Sequence, residues 1–429
     1  MAGVCSESNK VASRDYIYLG SAEEAINYID SLEGNSLKPE SMITPLLPSM
    51  KDFLELIGCE SNLLVSLMLS SHKQNEPMPF SRATIFKIPK FFNGLMPLSK
   101  KTQHKFISYF FEKIPDYIRK KSVRFPKNFN GGAADGWLGL IDGIKNSKRG
   151  LGEFSFLIQF IIERMEKESD LLIHLSNASI SEEDRRSLYF ETLSKETLIQ
   201  NEVIEIVKVL SENKNIKFPT ETKSSMICSL KLDFYFSSIA CFEIGLLNSI
   251  RSSYPEMVYA RPDWFVDGLV CNFIRELRFD GSDIYIDSPF SLYLDWLAGN
   301  DGPLVSNSPI SMAKLSSFIP LKNEEDTING YAKIDKQKDL LKDWKKSKYP
   351  SPEKFYKFVT NFSEEFSCDP ALVADIGFVS IILDKLFLQL FYDLRVFRSV
   401  ESYKIMEESL LRYNEYRAYF ENKYAGFIA

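Results

Sequence analysis

The chain has 429 residues, of which 45% are hydrophobic and 26% are charged, with a formal net charge of −6. These values are typical of a globular protein long enough to hold more than one domain. The acidic balance argues against broad nucleic-acid binding, because phosphate recognition leaves a basic footprint. The 33 Phe and 20 Tyr predict a sizeable core with ring-lined pockets.

The cysteines and the apolar runs indicate the compartment. Six cysteines are scattered without a CxxC pair: Cys5, Cys59, Cys228, Cys241, Cys271 and Cys368. That spacing favours free thiols in a reducing compartment. The amino terminus lacks the apolar region of a secretory signal, and the most apolar run, 371–391, carries Asp375, Asp384 and Lys385. We therefore expect a cytoplasmic protein that does not enter a membrane.

The first part of the chain predicts short helices. Ser21 followed by Glu23 and Glu24 has the pattern of a helix N-cap, and 99–121 predicts a helix broken near Pro115. Seven glycines lie between 125 and 152, which indicates a flexible connection around a short helix at 137–144. These elements predict a smaller N-terminal helical region over residues 1–150.

Helical patterns dominate the rest of the chain. Ser181 with Asp184 predicts a capping-box start for a helix over 182–193. A long helix is predicted between Lys223 and Ser252, and further helices over 336–346, 352–366 and from Pro370 onward, with a loop over 302–320. The best strand candidate is Ile284–Ile286. The fold class is therefore mainly α, and residues 151–429 form the predicted large all-α domain with the pocket.

The stretch 254–302 is the first candidate for a site. It combines Arg261, Arg275 and Arg278 with several aspartates, two tryptophans and an otherwise apolar pattern. Ionised groups in such a segment are costly unless they are paired or have a function. Pro262 and Asp263 open a predicted helix whose apolar face continues at spacing four to Leu277.

A second candidate lies at the end of the apolar helix that starts near Ala371. Arg395 and Arg398 are three residues apart and would share a helix face beside Leu394 and Phe397. A guanidinium against an aromatic wall is suited to hold a carboxylate or phosphate in two places. The alternative is a structural ion pair with Asp393 or Asp384.

Other site classes lack their residues. The three histidines, His72, His104 and His174, do not supply a metal set or a Ser-His-Asp arrangement. No glycine-rich phosphate loop is present. The run from Asp280 to Asp287 lacks the spacing of a calcium loop and predicts a polar turn. No metal site is therefore predicted.

Several short motifs follow one another in a recognisable order over about residues 222–415. They are Phe273-Ile-Arg-Glu-Leu-Arg278, then Gly281-Ser282 and Tyr285, then Pro289 and Leu294-Asp-Trp-Leu-Ala-Gly299, and finally Leu394-Arg-Val-Phe-Arg398. In this order the chain resembles the indoleamine dioxygenase superfamily, and more closely its bacterial monodechloroaminopyrrolnitrin synthase branch.

The resemblance implies a large helical body and an oxidoreductase of secondary metabolism that uses haem and dioxygen on tryptophan or a related aromatic amino-acid derivative. It implies that Arg278 faces the substrate and that Gly281 and Ser282 form a mobile turn over the haem. Gly281, Ser282, Arg278 and Arg398 are the candidate substrate-binding residues.

The chain departs from this family at the iron ligand. Arg398 stands where the family places its histidine, no histidine follows residue 174, and a guanidinium has no lone pair to give to iron. Tyr403, Met406, Cys241 or a distant histidine would have to ligate, or haem is absent. The alternative function is a haem-less binding protein of the same fold for an anionic aromatic ligand or a protein partner. A scaffold without pocket chemistry is the third hypothesis.

Overall fold

The computed structural model describes residues 16–18, 23, 27, 46–48, 56, 80, 81, 84, 99–113, 124–126, 152–175, 180–213, 215–274, 277–280, 283–286, 288–299, 309–321, 330–397 and 399–427. The chain divides into two compact units. The first unit comprises residues 1–150 and 161–196, and the second comprises 151–160 and 197–429. The predicted domain boundary after residue 150 stays a prediction.

The first unit contains α1 (Lys100–Lys113), α3 (Glu182–Glu196) and most of α2 (Ser155–Leu175). Its strands β1 (Tyr16–Tyr18) and β2 (Arg124–Pro126) pair antiparallel. Ser181 Oγ accepts from the Asp184 amide at 3.1 Å and donates to Asp184 Oδ2 at 2.6 Å. This reciprocal contact confirms the predicted start of α3.

Predictions for the first 150 residues are confirmed only in part. The helix predicted over 99–121 is present as α1 up to Lys113, and the predicted break near Pro115 lies outside the described residues. Glu23 and Asn27 are helical, but the rest of the helix predicted near Ser21 lies outside the described residues. The short helix predicted at 137–144 also lies outside them.

The second unit is mainly α. Its described helices are α4 (Asn201–Glu212), α5 (Thr220–Ser253), α6 (Pro255–Ala260), α7 (Pro262–Val266), α8 (Pro289–Ala298), α9 (Met312–Ser316), α10 (Gly330–Trp344), α11 (Pro352–Phe366), α12 (Pro370–Leu394), α13 (Val400–Leu411) and α14 (Tyr413–Tyr424). The strands β3 (Leu277–Asp280) and β4 (Asp283–Ile286) form an antiparallel hairpin. Short 3₁₀ turns cover Gly152–Phe154, Val270–Phe273 and Ala425–Phe427.

Helix α5 is the centre of this unit. Its 34 residues pack against α12, α13, α14 and the turn Gly152–Phe154. Phe236, Ala240 and Cys241 have no exposed surface, and apolar residues occupy all sides of its middle, as expected of a helix surrounded by protein. The predicted long helix at 223–252 is confirmed.

One close approach positions the start of the unit against α5. A Cβ atom at Gly245 would lie 2.0 Å from the backbone carbonyl oxygen of Glu153. The turn Gly152–Phe154 therefore contacts the helix where a glycine leaves room for its backbone. Phe154 also packs on Phe242, with ring centroids 5.3 Å apart.

Helices α8, α11 and α12 share an aromatic core. The hydroxyl of Tyr293 on α8 donates to the Val373 carbonyl on α12 at 2.8 Å, and its ring lies 6.1 Å from that of Phe355 on α11. Gly377 lies beneath both rings, since an added Cβ would be 2.3 Å from Phe355 Cζ and 2.9 Å from the Tyr293 hydroxyl. The prediction of a buried helix over 371–391 is confirmed.

Two sequence predictions in this unit are wrong. The helix predicted from Pro262 to Leu277 ends at Val266, because Gly268 has φ +90°, a left-handed value that glycine adopts without strain. A 3₁₀ turn and β3 follow instead. The loop predicted over 302–320 contains α9, whose first turn is capped by Ser311.

Among the helices of the described residues, none is both long and apolar enough to cross a lipid bilayer.

Candidate functional site

The hairpin β3–β4 carries the first predicted site residue. Arg278 on β3 is directly opposite Tyr285 on β4, so the two residues occupy the same face of the hairpin. The side chains of Arg278 and Tyr285, together with Gly281 and Ser282, lie outside the described residues. The assignment of these residues to a substrate site stays a prediction.

The late arginine cluster lies at the end of α12. The helix ends at Leu394, and Arg395 is its exposed C-cap. The helix face that the sequence predicted for Arg395 and Arg398 therefore does not extend beyond Leu394. Arg398 lies outside the described residues. Asp393, one of the proposed partners, forms an ion pair with Lys231 of α5.

A buried polar cluster holds the segment that leads into the hairpin. We call Glu243, Tyr413 and Arg417 the anchor cluster. Glu243 has no exposed surface; its Oε1 accepts from the Val270 amide at 2.7 Å, and its Oε2 accepts from the Tyr413 hydroxyl at 2.6 Å. The carboxylate therefore joins α5 and α14 to the 3₁₀ turn Val270–Phe273.

Arg417 extends the anchor cluster to the preceding residues. Its Nη1 donates to the Val266 carbonyl at 3.0 Å and its Nη2 donates to the Phe265 carbonyl at 3.1 Å. Its Nε lies 3.8 Å from Glu243 Oε2, which is a charge contact longer than a hydrogen bond. Arg417 therefore satisfies the backbone carbonyls at the end of α7.

Burial sets the proton affinities in this cluster. Removal from water raises the pKa of Glu243. The Arg417 charge and the hydrogen bonds from Tyr413 and Val270 act in the opposite direction and lower it, but burial is the larger effect. The same burial raises the pKa of Tyr413 well above its ordinary range. Burial and the nearby Glu243 raise the pKa of Cys271 to about 12, so this thiol stays protonated and is a poor nucleophile at neutral pH.

Aromatic rings surround the segments on both sides of the hairpin. Phe273, just before β3, contacts Trp296 of α8 edge-on at 5.8 Å between ring centroids. Tyr293 stacks on Trp296 at 5.9 Å, and Trp264 of α7 lies 5.8 Å from Trp296. Elements that precede and follow the hairpin along the chain therefore share one aromatic cluster.

Two polar groups of this cluster have no partner. The indole Nε1 atoms of Trp264 and Trp296 are buried, and no hydrogen-bond acceptor reaches either of them within the described part of the chain. The side chain of Trp264 is 0% exposed and that of Trp296 is 6% exposed. Buried indole N–H groups normally find an acceptor, so these two donors lack the partner that such groups usually have.

Two further carboxyl groups of α12 are partly removed from water. Asp384 Oδ2 accepts from Ser288 Oγ at 2.6 Å and from Ser347 Oγ at 3.0 Å, which joins α12 to the start of α8 and the end of α10. Burial raises the pKa of Asp375 to about 7, with additional repulsion from Glu153 and Asp369. Asp384, whose pKa burial also raises, is therefore a hydrogen-bonded structural group, and Asp375 is the carboxyl group expected to titrate near neutral pH.

We expect Asp375→Asn to stabilise the protein more at pH 8 than at pH 5. Because the folded-state pKa is raised from 3.8 to about 7, the stability of the native chain falls as pH rises through this interval. The gain at pH 8 should be about 1–2 kcal/mol after allowance for solvent screening at this partly exposed group. Urea unfolding of both proteins at the two pH values measures it.

The matched control for this prediction is Asp339→Asn, an exposed aspartate that pairs with Lys342 on α10. Its effect should be small and similar at both pH values. A gain from Asp375→Asn that is equal at pH 5 and pH 8 would show that Asp375 titrates normally in the folded protein.

The iron ligands considered from the sequence are packed inside the second unit. Of the ligands considered from the sequence, Cys241 and Met406 have no exposed surface, and Tyr403 is stacked on Phe391 at 5.5 Å. Burial raises the pKa of Cys228, another cysteine of α5, to about 12, so its thiol stays protonated at neutral pH. No group of three or more His, Cys, Asp or Glu side chains with metal-binding geometry occurs among the residues described.

Sequence reasoning missed the anchor cluster and the indole pair. A signal for Glu243 existed, since it is the one acidic residue between Ser237 and Ile250 in a run that is otherwise apolar. An acidic residue in such a run needs buried partners. Its partners lie about 30 and 170 residues away, at Val270 and Tyr413, and no local pattern indicates them.

Comparisons with protein-family models, with curated proteins and with solved structures gave no match for this chain.

Proposed function

We propose that this chain is an all-α binding protein for a small anionic aromatic molecule, such as tryptophan or a related aromatic amino-acid derivative, and that it works without a resident haem. The observation that carries the proposal is the pairing of Arg278 with Tyr285 on one face of the hairpin. A guanidinium binds a carboxylate through two parallel hydrogen bonds, and a tyrosine ring stacks on an aromatic ligand.

The rigidity of the preceding segment supports this role. Backbone groups of Phe265, Val266 and Val270 are held by the anchor cluster. Fixed backbone before β3 reduces the conformational entropy that a binding hairpin would lose when the ligand arrives.

The aromatic cluster supports the class of ligand. Phe273 precedes β3, and Tyr293 and Trp296 follow β4, all three being at most 6% exposed. Ligand sites are lined mainly by apolar and aromatic side chains with a few polar groups that fix orientation. We take this aromatic neighbourhood, beside a hairpin that carries one arginine, as support for an aromatic ligand with one carboxylate.

The haem-dependent dioxygenase remains a prediction from the resemblance. Haem, when bound, would supply dioxygen activation, but Arg398 stands at the expected ligand position, and a guanidinium has no lone pair to give to iron. The chemistry of the available donors therefore favours the haem-less binding protein.

Isothermal titration with L-tryptophan, anthranilate and indole-3-acetate tests the proposal. We expect the native protein to bind at least one of them, and Arg278→Ala to weaken that binding about tenfold or more, because a hydrogen bond to a charged group is lost. Arg278→Lys should recover part of the affinity, since it keeps the charge but not the planar fork.

The control is Arg186→Ala, which removes the same charge from an exposed arginine that pairs with Glu182 on α3. It should leave the affinity unchanged. If no compound binds at millimolar concentration, the proposal is wrong. A strong Soret band in protein expressed with ample haem would replace it with the oxygenase.

A further inference from the structure

We propose that the indole N–H groups of Trp264 and Trp296 are the hydrogen-bond donors that recognise the carboxylate of the bound ligand. The inference rests on the proposed function, because it names two new recognition groups for the same class of ligand. It does not depend on the side chain of Arg278.

Burial without a partner is the first step of the argument. Trp264 and Trp296 are 0% and 6% exposed, and their Nε1 atoms meet no acceptor in the described ranges. An indole nitrogen donates and never accepts. A buried donor without an acceptor costs free energy, and such a group in a folded protein indicates a missing acceptor, which is a ligand oxygen or an ordered water.

The position of the two donors is the second step. Their rings are adjacent, with centroids 5.8 Å apart and planes inclined by 42°. Trp264 precedes the hairpin and Trp296 follows it. The two donors therefore belong to different elements of one aromatic cluster.

The charge and lining indicate which acceptor fits. The Arg261 guanidinium carbon lies 5.6 Å from the centre of the Trp264 ring, which favours a negative group near this indole. Phe273 and Tyr293 contact Trp296 with their rings and have no exposed surface. An apolar wall with two donors and a neighbouring cation matches an aromatic carboxylate better than a neutral polar molecule.

The anchor cluster fixes one side of this arrangement. The residue after Trp264 is Phe265, whose carbonyl accepts from Arg417. Trp296 lies in α8, whose Tyr293 hydroxyl is bonded to α12. Both indoles therefore belong to segments whose positions are fixed by hydrogen bonds, which limits the conformational entropy that ordering them would cost.

Proton–nitrogen NMR of protein labelled with ¹⁵N-tryptophan tests the inference, since the chain contains only 4 Trp. The indole signals are assigned with Trp264→Phe, Trp296→Phe and Trp344→Phe. Unlabelled indole-3-acetate is the probe, and 3-methylindole is the matched compound without the carboxylate. We expect the proton signals of Trp264 and Trp296 to move downfield with indole-3-acetate and much less with 3-methylindole.

Affinity provides the second measurement. Trp264→Phe and Trp296→Phe should each weaken indole-3-acetate about tenfold, the ratio for one hydrogen bond to a charged group. Trp344→Phe is the matched control, because Trp344 is 2% exposed and packs between Phe290 and Phe358 in the same aromatic core. It should change the affinity little.

The outcomes separate this inference from the proposed function. Binding that depends on Arg278 while both indole signals stay in place at saturation overturns the inference alone. Indole signals that move equally in native protein and in Arg278→Ala support the inference and remove Arg278 from the site. Signals already at hydrogen-bonded positions and insensitive to the probe show an ordered water and overturn the inference. No binding of the probe overturns both.

Discussion

Replacing Glu243 with alanine is expected to lower the free energy of unfolding by about 3–5 kcal/mol, the cost of removing one partner from a buried ion pair. The change leaves the Val270 amide and the Tyr413 hydroxyl without their acceptor. It also removes the carboxylate that lies 3.8 Å from Arg417 Nε, in a region where water cannot compensate. Denaturant unfolding followed by far-UV circular dichroism measures the loss.

Two single variants and one double mutant test whether this loss comes from the buried hydrogen bonds. Tyr413→Phe removes one of the two donors and should cost about 1–3 kcal/mol, with coupling to the Glu243 change in a double-mutant cycle. Glu205→Ala, at an exposed glutamate near Lys208 on α4, should be close to neutral. A loss below about 1 kcal/mol for Glu243→Ala, the range of an exposed ion pair, would mean that water reaches the carboxylate.

Gly245→Ala is expected to destabilise the protein by about 3 kcal/mol, at the upper end of overpacking costs. The new Cβ would lie 2.0 Å from the Glu153 carbonyl oxygen, and this neighbour is backbone that cannot rotate away. The direction of the stability change is informative, because Gly→Ala at an exposed helix position stabilises a protein by about 1 kcal/mol. Thermal and urea unfolding both measure it.

Gly426→Ala is the matched control, because no atom lies within 4 Å of the Cβ it would add. It should change stability by less than about 0.5 kcal/mol, as surface substitutions normally do. If Gly245→Ala proves neutral or stabilising, the turn Gly152–Phe154 does not contact α5 in the manner described.

The sequence was sufficient for helices whose pattern is local. Helix α11 begins at Pro352 and ends at Phe366, as predicted, because Ser351 and Pro352 form a capped start and its apolar face follows a helical period. Helix α5 was predicted within a few residues at each end for a similar reason. The mainly α fold follows from these patterns.

The break after α7 could not be predicted in the same way. Phe265, Leu269 and Phe273 have helical spacing, but Gly268 adopts φ +90° next to the guanidinium of Arg417. The apolar spacing outlined a longer helix than the contacts from α14 allow. A distant partner therefore outweighed a local pattern, as tertiary contacts commonly do.

The candidate site shows the same division. Alternation predicted a strand at 284–286, which is confirmed as part of β4, whereas the substrate role of Arg278 rests on the resemblance and stays a prediction. The unpartnered indoles of Trp264 and Trp296 became visible only with the fold, because a missing acceptor is a property of three-dimensional surroundings and has no sequence pattern.

The central position of α5 determines how the second unit can open. Its residues are shared by α12, α13, α14 and the turn Gly152–Phe154, so no small group of these elements can separate without exposing part of the same helix. Local opening at this helix is therefore unfavourable compared with opening at chain ends or surface loops. Backbone amides in the middle of α5 should consequently exchange their hydrogens with water last, and only when the whole unit loses its structure.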